Sequence, residues 1–176
     1  MSAFPTFTTH LECSATGRHY PADTLLGLSE AGKPLLVRYD LAAAARALSP
    51  GALADRREGG FWRYRELLPV RRGENVVTLG EVTTPLVELP ALARSAGARR
   101  VIVKDEGRLP TGSFKARGLA LAVSMAKELG VKRMAMPTNG NAGAALAAYA
   151  TRAGIEAFVF CPADTPEINV REIALA

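Results

Sequence analysis

Two short stretches hold the residues best placed to do chemistry. The first, KDEGRLPTGSFKARG at 104–118, sets Ser113, Phe114 and Lys115 where a strand-following loop enters a helix. A cation at a helix start opposes the macrodipole by about 0.3 kcal/mol or more, which disfavours a purely structural lysine. The same placement suits a lysine that must work as a neutral amine, as a nucleophile or imine former. On spacing alone, a solvated surface lysine explains it equally well. The second stretch, PTNGNAGAALAAYA at 137–150, puts Thr138, Asn139 and Gly140 ahead of an alanine-rich helix beginning at Asn141. Exposed N–H groups at such a junction bind carboxylate or phosphate, and Gly140 leaves room for close backbone approach. Asn139 or Asn141 is also expected to cap the helix with its side chain.

The elements that must hold these junctions follow from the rhythm of the chain. From Val101 it reads strand, loop, helix, repeated: VIVKDE, a helix from about Ser113 to Leu129, MAMPT, a helix from Asn141 to Ala153, and AFVFCP. Leu119, Ala122, Val123, Ala126 and Leu129 recur at helical spacing, and the strands are short apolar runs of the kind buried on both faces. This predicts a βαβαβ unit with three parallel strands, whose strand ends are where ligands bind. Upstream, glycines and prolines between short apolar pieces predict small strands ending at Leu35 to Tyr39. Asp40 then caps a short helix that Pro50 and Gly51 stop, and 52–82 reads as an irregular arm carrying FWRYRELLP.

Composition excludes several classes of function. The chain has 176 residues, 48% of them hydrophobic, and no apolar run approaches the roughly 18 residues of a membrane helix. The opening MSAFPTFTTHLEC lacks the basic start and apolar middle of a secretory signal, so a cytoplasmic protein without a membrane partner is expected. The net charge of +5 comes from scattered arginines without aromatic interleaving, which points away from nucleic acid and fits a small anionic substrate. Lysine is scarce: Lys33, Lys104, Lys115, Lys127 and Lys132 are all there are. Cys13 and Cys161 are too few for a disulfide scaffold and are expected to be reduced thiols.

TGSFKARG followed by the GNAG loop resembles the β-family, or fold type II, of pyridoxal-phosphate enzymes. FWRYRELLP, VTLGEVTTPLVEL, KDEGRLPTGSFKARG and PTNGNAGAALAAYATRAG, in that order, are similar to the threonine synthase family over nearly the whole chain. The resemblance implies an α/β fold with a three-layer αβα parallel sheet, of which these residues form an incomplete part. It implies pyridoxal phosphate as cofactor, with Lys115 as its Schiff-base lysine and later the acid/base at the substrate carbons. Asn141 would hydrogen-bond the cofactor's phenolic oxygen. Thr138, Asn139 and Gly140 would receive the substrate's α-carboxylate, and Thr84 would make a further substrate contact. The implied reaction converts O-phosphohomoserine and water to threonine and phosphate. Ala116, Asn139 and Ala142 depart from the residues common in the family, which keeps a threonine or serine dehydratase-like lyase open as an alternative.

Some threonine synthases begin with a zinc ribbon of two CxxCG knuckles. Here Cys13 to Gly17 and Leu28 to Gly32 look like its remnant, with one cysteine in four ligand positions. Adding His10 or His19 still leaves too few ligands at suitable spacing, so a metal-free, ribbon-like segment is expected over 1–40. The arm leads through 41–100 into the start of the cofactor-binding domain at 101–176. The family's glycine-rich phosphate loop would lie beyond Ala176, so an N-terminal fragment, inactive alone, is expected, and a non-catalytic truncated chain is a further alternative. A homo-oligomer is possible on the resemblance.

Overall fold

The computed structural model describes residues 5–57 and 59–176; the first four residues of the ribbon-like segment and Glu58 of the arm lie outside the described residues. The chain opens with an antiparallel sheet of β1 (Thr8–Cys13), β2 (His19–Pro21) and β3 (Leu35–Tyr39), in the order β2-β1-β3. Two tight turns accompany it. Gly17 N–H donates to the Cys13 carbonyl at 3.0 Å and Gly32 N–H to the Ser29 carbonyl at 2.8 Å, both glycines at positive φ. Cys13 is buried between them, its Sγ 3.1 Å from Ser29 Oγ. Hydrogen bonds from Ser29, Thr16 and the Ala15 amide lower its thiol to about 7.

Asp40 caps α1 (Leu41–Ala47) as expected, accepting from Ala43 N–H at 2.8 Å. Pro50 does not merely end that helix: it opens α2 (Pro50–Ala54), with Ser49 Oγ accepting from Ala52 N–H at 3.1 Å. Proline's missing N–H costs nothing in a first turn, so the same residue can stop one helix and start the next. The arm contains a 3-10 segment, Phe61–Leu67. It is pinned by the Arg56–Glu66 pair and receives Phe7 N–H on the Glu66 carbonyl at 2.8 Å, which fastens the N-terminal sheet to it.

The sheet beyond the arm differs from the expected three parallel strands. β5 (Ile102–Lys104) pairs antiparallel with β4 (Leu86–Glu88), across the short helix α3 (Pro90–Ser95). Only β6 (Arg133–Pro137) and β7 (Glu156–Phe160) run parallel among the described residues, joined by α5 (Asn141–Ala153) as crossover. An apolar run of three residues does not encode which neighbour it takes, and LVE, close upstream, supplies the antiparallel one. Nor are β6 and β7 buried on both faces. Met134, Met136, Ala157 and Val159 pack on the core while Phe158 and Phe160 stand exposed.

The core lies where α4 (Lys115–Glu128) meets α5. Ala116, Ala120, Val123, Ala145, Leu146, Tyr149 and Ala150 fill it, and the alanines let the helix backbones approach closely. Three polar clamps tie 71–81 to this pair. Ser124 Oγ accepts Val77 N–H at 2.8 Å while donating to the Ala120 carbonyl at 2.7 Å. Glu128 accepts the amides of Arg71 and Arg72 and the Asn75 side chain. Tyr149 donates to the buried Glu81 carboxylate, and burial, followed by that carboxylate, pushes the phenol well above its ordinary pKa. The last helix, α6 (Glu167–Leu175), packs on α5.

Candidate active site

The loop leaving β5 is shaped by short-range hydrogen bonds that set up the start of α4. Asp105 accepts Gly107 N–H at 3.1 Å, and Leu109 turns into the core. At Pro110–Gly112 the backbone reverses, with Thr111 at φ 62° and Gly112 at φ 64°. A β-branched residue in that region is strained by about 1–3 kcal/mol, and the turn is held by Gly112 N–H on the Leu109 carbonyl and by packing against α5. Thr111 Oγ1 is buried and finds no hydrogen-bond partner among the described residues. Ser113 Oγ, also buried, accepts Lys115 N–H at 3.4 Å.

Lys115 is therefore the first residue of α4. Its Nζ lies 4.3 Å from the centroid of the Phe114 ring, and no carboxylate among the described residues comes within 4.0 Å of it. Lys104 and Lys127 are differently placed. Lys104 donates to Thr84 Oγ1 and stands 3.5 Å from Glu106, and Lys127 donates to the Glu74 carbonyl at 2.7 Å. Of these three amines, Lys115 is the one not held in a polar contact, as a nucleophile requires.

Two residues after Lys115, Arg117 anchors the same helical turn. Its guanidinium grips Glu106 with both Nε and Nη2, the latter at 2.8 Å. Arg117, then the Thr84 hydroxyl at 2.7 Å, and the nearby Lys104 hold the Glu106 carboxyl down at about 2, despite partial desolvation. Thr84, expected as a substrate contact, is buried in this network: its hydroxyl donates to Glu106 and accepts from Lys104 and Arg117. Glu106 and Arg117 are not among the residues the sequence singles out. Their signal is an acidic residue just past the strand end and an arginine two positions beyond the lysine, which only the folded turn brings together.

At the second junction neither Asn139 nor Asn141 caps α5 with its side chain. Gly140 is the N-cap residue, and Thr138 Oγ1 accepts its N–H at 3.2 Å. The Asn139 carbonyl accepts from the Asn169 side chain at 3.2 Å, tying α6 to the loop. Asn141 is exposed at the first position of α5, and its side chain makes no hydrogen bond to the described residues. Gly140 is extended and has room around it, except for Asn169. The tight glycine is Gly143, where a Cβ would meet Thr138 Cγ2 at 2.5 Å and both Ile173 Cδ1 and Val159 Cγ1 at 2.9 Å. The loop thus sits flush on α5 at Gly143, while the turn before Lys115 packs on the same helix.

Residues 77–176 match the family described as pyridoxal-phosphate dependent enzyme. The chain belongs to that family. Pyridoxal phosphate is the family's cofactor. The chain is similar to the threonine synthase of Methanocaldococcus jannaschii, 39% identical over 150 residues, covering 85% of this chain and 37% of that protein. The Synechocystis enzyme of the same name is 48% identical over 120 residues, covering 68% of this chain and 31% of that protein. The chain thus spans about a third of the length of the threonine synthases it matches. Among solved structures, Escherichia coli diaminopropionate ammonia lyase, in complex with an aminoacrylate-PLP azomethine reaction intermediate, is 27% identical with a TM-score of 0.51. That match covers 56% of this chain and 29% of that one.

Proposed function

We propose that this chain supplies the lysine-bearing part of a threonine synthase, which converts O-phosphohomoserine and water to threonine and phosphate by β,γ-elimination and water addition. The observation that carries the reading is the Lys115 amine, presented at a helix start without an ion pair, in a chain whose similar relatives are threonine synthases. When bound, pyridoxal phosphate supplies an electron sink for the charge left on a deprotonated substrate carbon. The rest falls to the protein.

Lys115 Nζ would hold the cofactor and then, released from it, carry protons between the substrate carbons. The Arg117–Glu106 pair, fixing the turn that bears Lys115, would keep that amine in one place. Thr138 and the backbone amide of Asn139, with the Gly140 amide turning to the ligand from its contact with Thr138 Oγ1, would receive the substrate carboxylate, where the helix dipole favours an anion. Asn141, with its amide unengaged, would donate to the cofactor's phenolic oxygen. Thr84 would act by positioning Glu106. Turnover would belong to a polypeptide of the relatives' length, and the 176 residues by themselves are expected to be inactive.

The test is product analysis. A polypeptide of that length containing this segment, given pyridoxal phosphate and O-phosphohomoserine, should release equal amounts of phosphate and threonine. Keto acid and ammonia from threonine or serine, with no phosphate released from O-phosphohomoserine, would replace this reading with a dehydratase.

A further inference from the structure

The N-terminal sheet carries a cluster that the reading of the knuckles did not anticipate. Glu12 and His19 are direct cross-strand partners in the β1–β2 ladder, and His10 precedes Glu12 by two residues on the same strand. All three side chains therefore rise from one face of the sheet. His10 Nε2 lies 4.0 Å and His19 Nε2 3.7 Å from Glu12 Oε2, and the three donor atoms are all within 4.8 Å of one another. Cys13, at the odd position, points to the opposite face, so this cluster is separate from the remnant of the zinc ribbon.

The surrounding hydrogen bonds fix which atoms are available. Thr9 Oγ1 donates its one proton to the Arg38 carbonyl at 3.0 Å, so at its 3.0 Å contact with His10 Nδ1 it must accept. With Thr9 as acceptor, the neutral His10 ring holds its proton on Nδ1 and presents the Nε2 lone pair toward Glu12. That atom is buried and has no hydrogen-bond partner among the described residues. Arg38 donates to both Glu12 oxygens, Nε to Oε2 at 3.0 Å and Nη2 to Oε1 at 2.7 Å, its hydrogen bonds keeping the carboxyl ionised below the usual range. The donor atoms of the three side chains thus lie together on one face of the sheet, His10 held by Thr9 and Glu12 by Arg38, as outer groups orient metal ligands.

We propose that His10, Glu12 and His19 form a binding site for a divalent transition-metal ion of borderline softness, such as Zn²⁺, with water completing the coordination. Two imidazoles and a carboxylate are the ligand chemistry that suits such an ion. Ligand bonds of about 2.0–2.2 Å call for donors about 3.4 Å apart, so the cluster must close by about 1 Å. The His19 ring, with 63% of its side chain exposed and its centroid 4.0 Å from that of His10, has room to turn for this. The ion is exchangeable with solvent rather than sealed in.

The test is titration of the whole chain with Zn²⁺ by calorimetry, and with Co²⁺ followed by visible absorption, at pH 7.5. One ion per chain should bind. His10→Ala and His19→Ala should each weaken binding at least about tenfold, and Thr9→Val, which frees the His10 tautomer, by about 10-fold or more. Cys13→Ala should leave the affinity unchanged. In the unaltered protein, Co²⁺ should shift the ring proton resonances of both His10 and His19, a readout that needs no variant. No saturable binding, binding that persists without both histidines, or loss on removing Cys13 would each overturn the proposal.

Discussion

Replacing Glu106 by glutamine isolates the ion pair that steadies the lysine-bearing turn. The carboxyl stands at about 2 in the folded protein against an ordinary 4.5, a difference equivalent to about 3 kcal/mol of pairing. About a quarter of each partner's side chain meets water, 24% for Glu106 and 27% for Arg117. Screening by that water reduces the expected loss in Glu106→Gln to about 1–2 kcal/mol at pH 7. Because the folded carboxyl is the stronger acid, its stabilisation is complete above the unfolded pKa and disappears as pH falls through the folded one. Urea unfolding of both proteins between pH 6 and pH 3 should show the gap between them narrowing by more than half. A gap that stays constant over this range, or one of only a few tenths of a kcal/mol at pH 7, would refute the pairing.

Ser124→Ala strands the Val77 amide in the core and should cost about 1–3 kcal/mol, measured by denaturant unfolding. Gly143→Ala drives a methyl into Thr138, Ile173 and Val159 and should cost about 1–3 kcal/mol, with amide shifts concentrated in 138–143. Thr111→Asn puts a residue that tolerates positive φ where a β-branched one now sits, and should raise stability by about 0.5–1 kcal/mol.

The two helices of the candidate site were legible because their apolar spacing and their bounding glycines are local signals. α5 runs from Asn141 to Ala153 as read, and α4 begins at Lys115 within two residues of expectation. What escaped is what depends on distant partners. VIVKDE reads as a strand whichever neighbour it takes, and its antiparallel pairing with LVE decides the sheet. Asn139 and Asn141 have good capping chemistry, yet Thr138 meets the Gly140 amide because the loop is drawn down onto α5 at Gly143. His10 and His19 are nine positions apart and look unrelated until the β1–β2 register sets Glu12 opposite His19.

Lys115 is proposed as the lysine that holds the cofactor. Borohydride reduction after incubation with pyridoxal phosphate, followed by peptide mapping, tests it directly. The pyridoxyl group should be found on the peptide containing Lys115, and Lys115→Ala should abolish the labelling while leaving the fold intact. Labelling of Lys104 or Lys127 in its place would contradict the account.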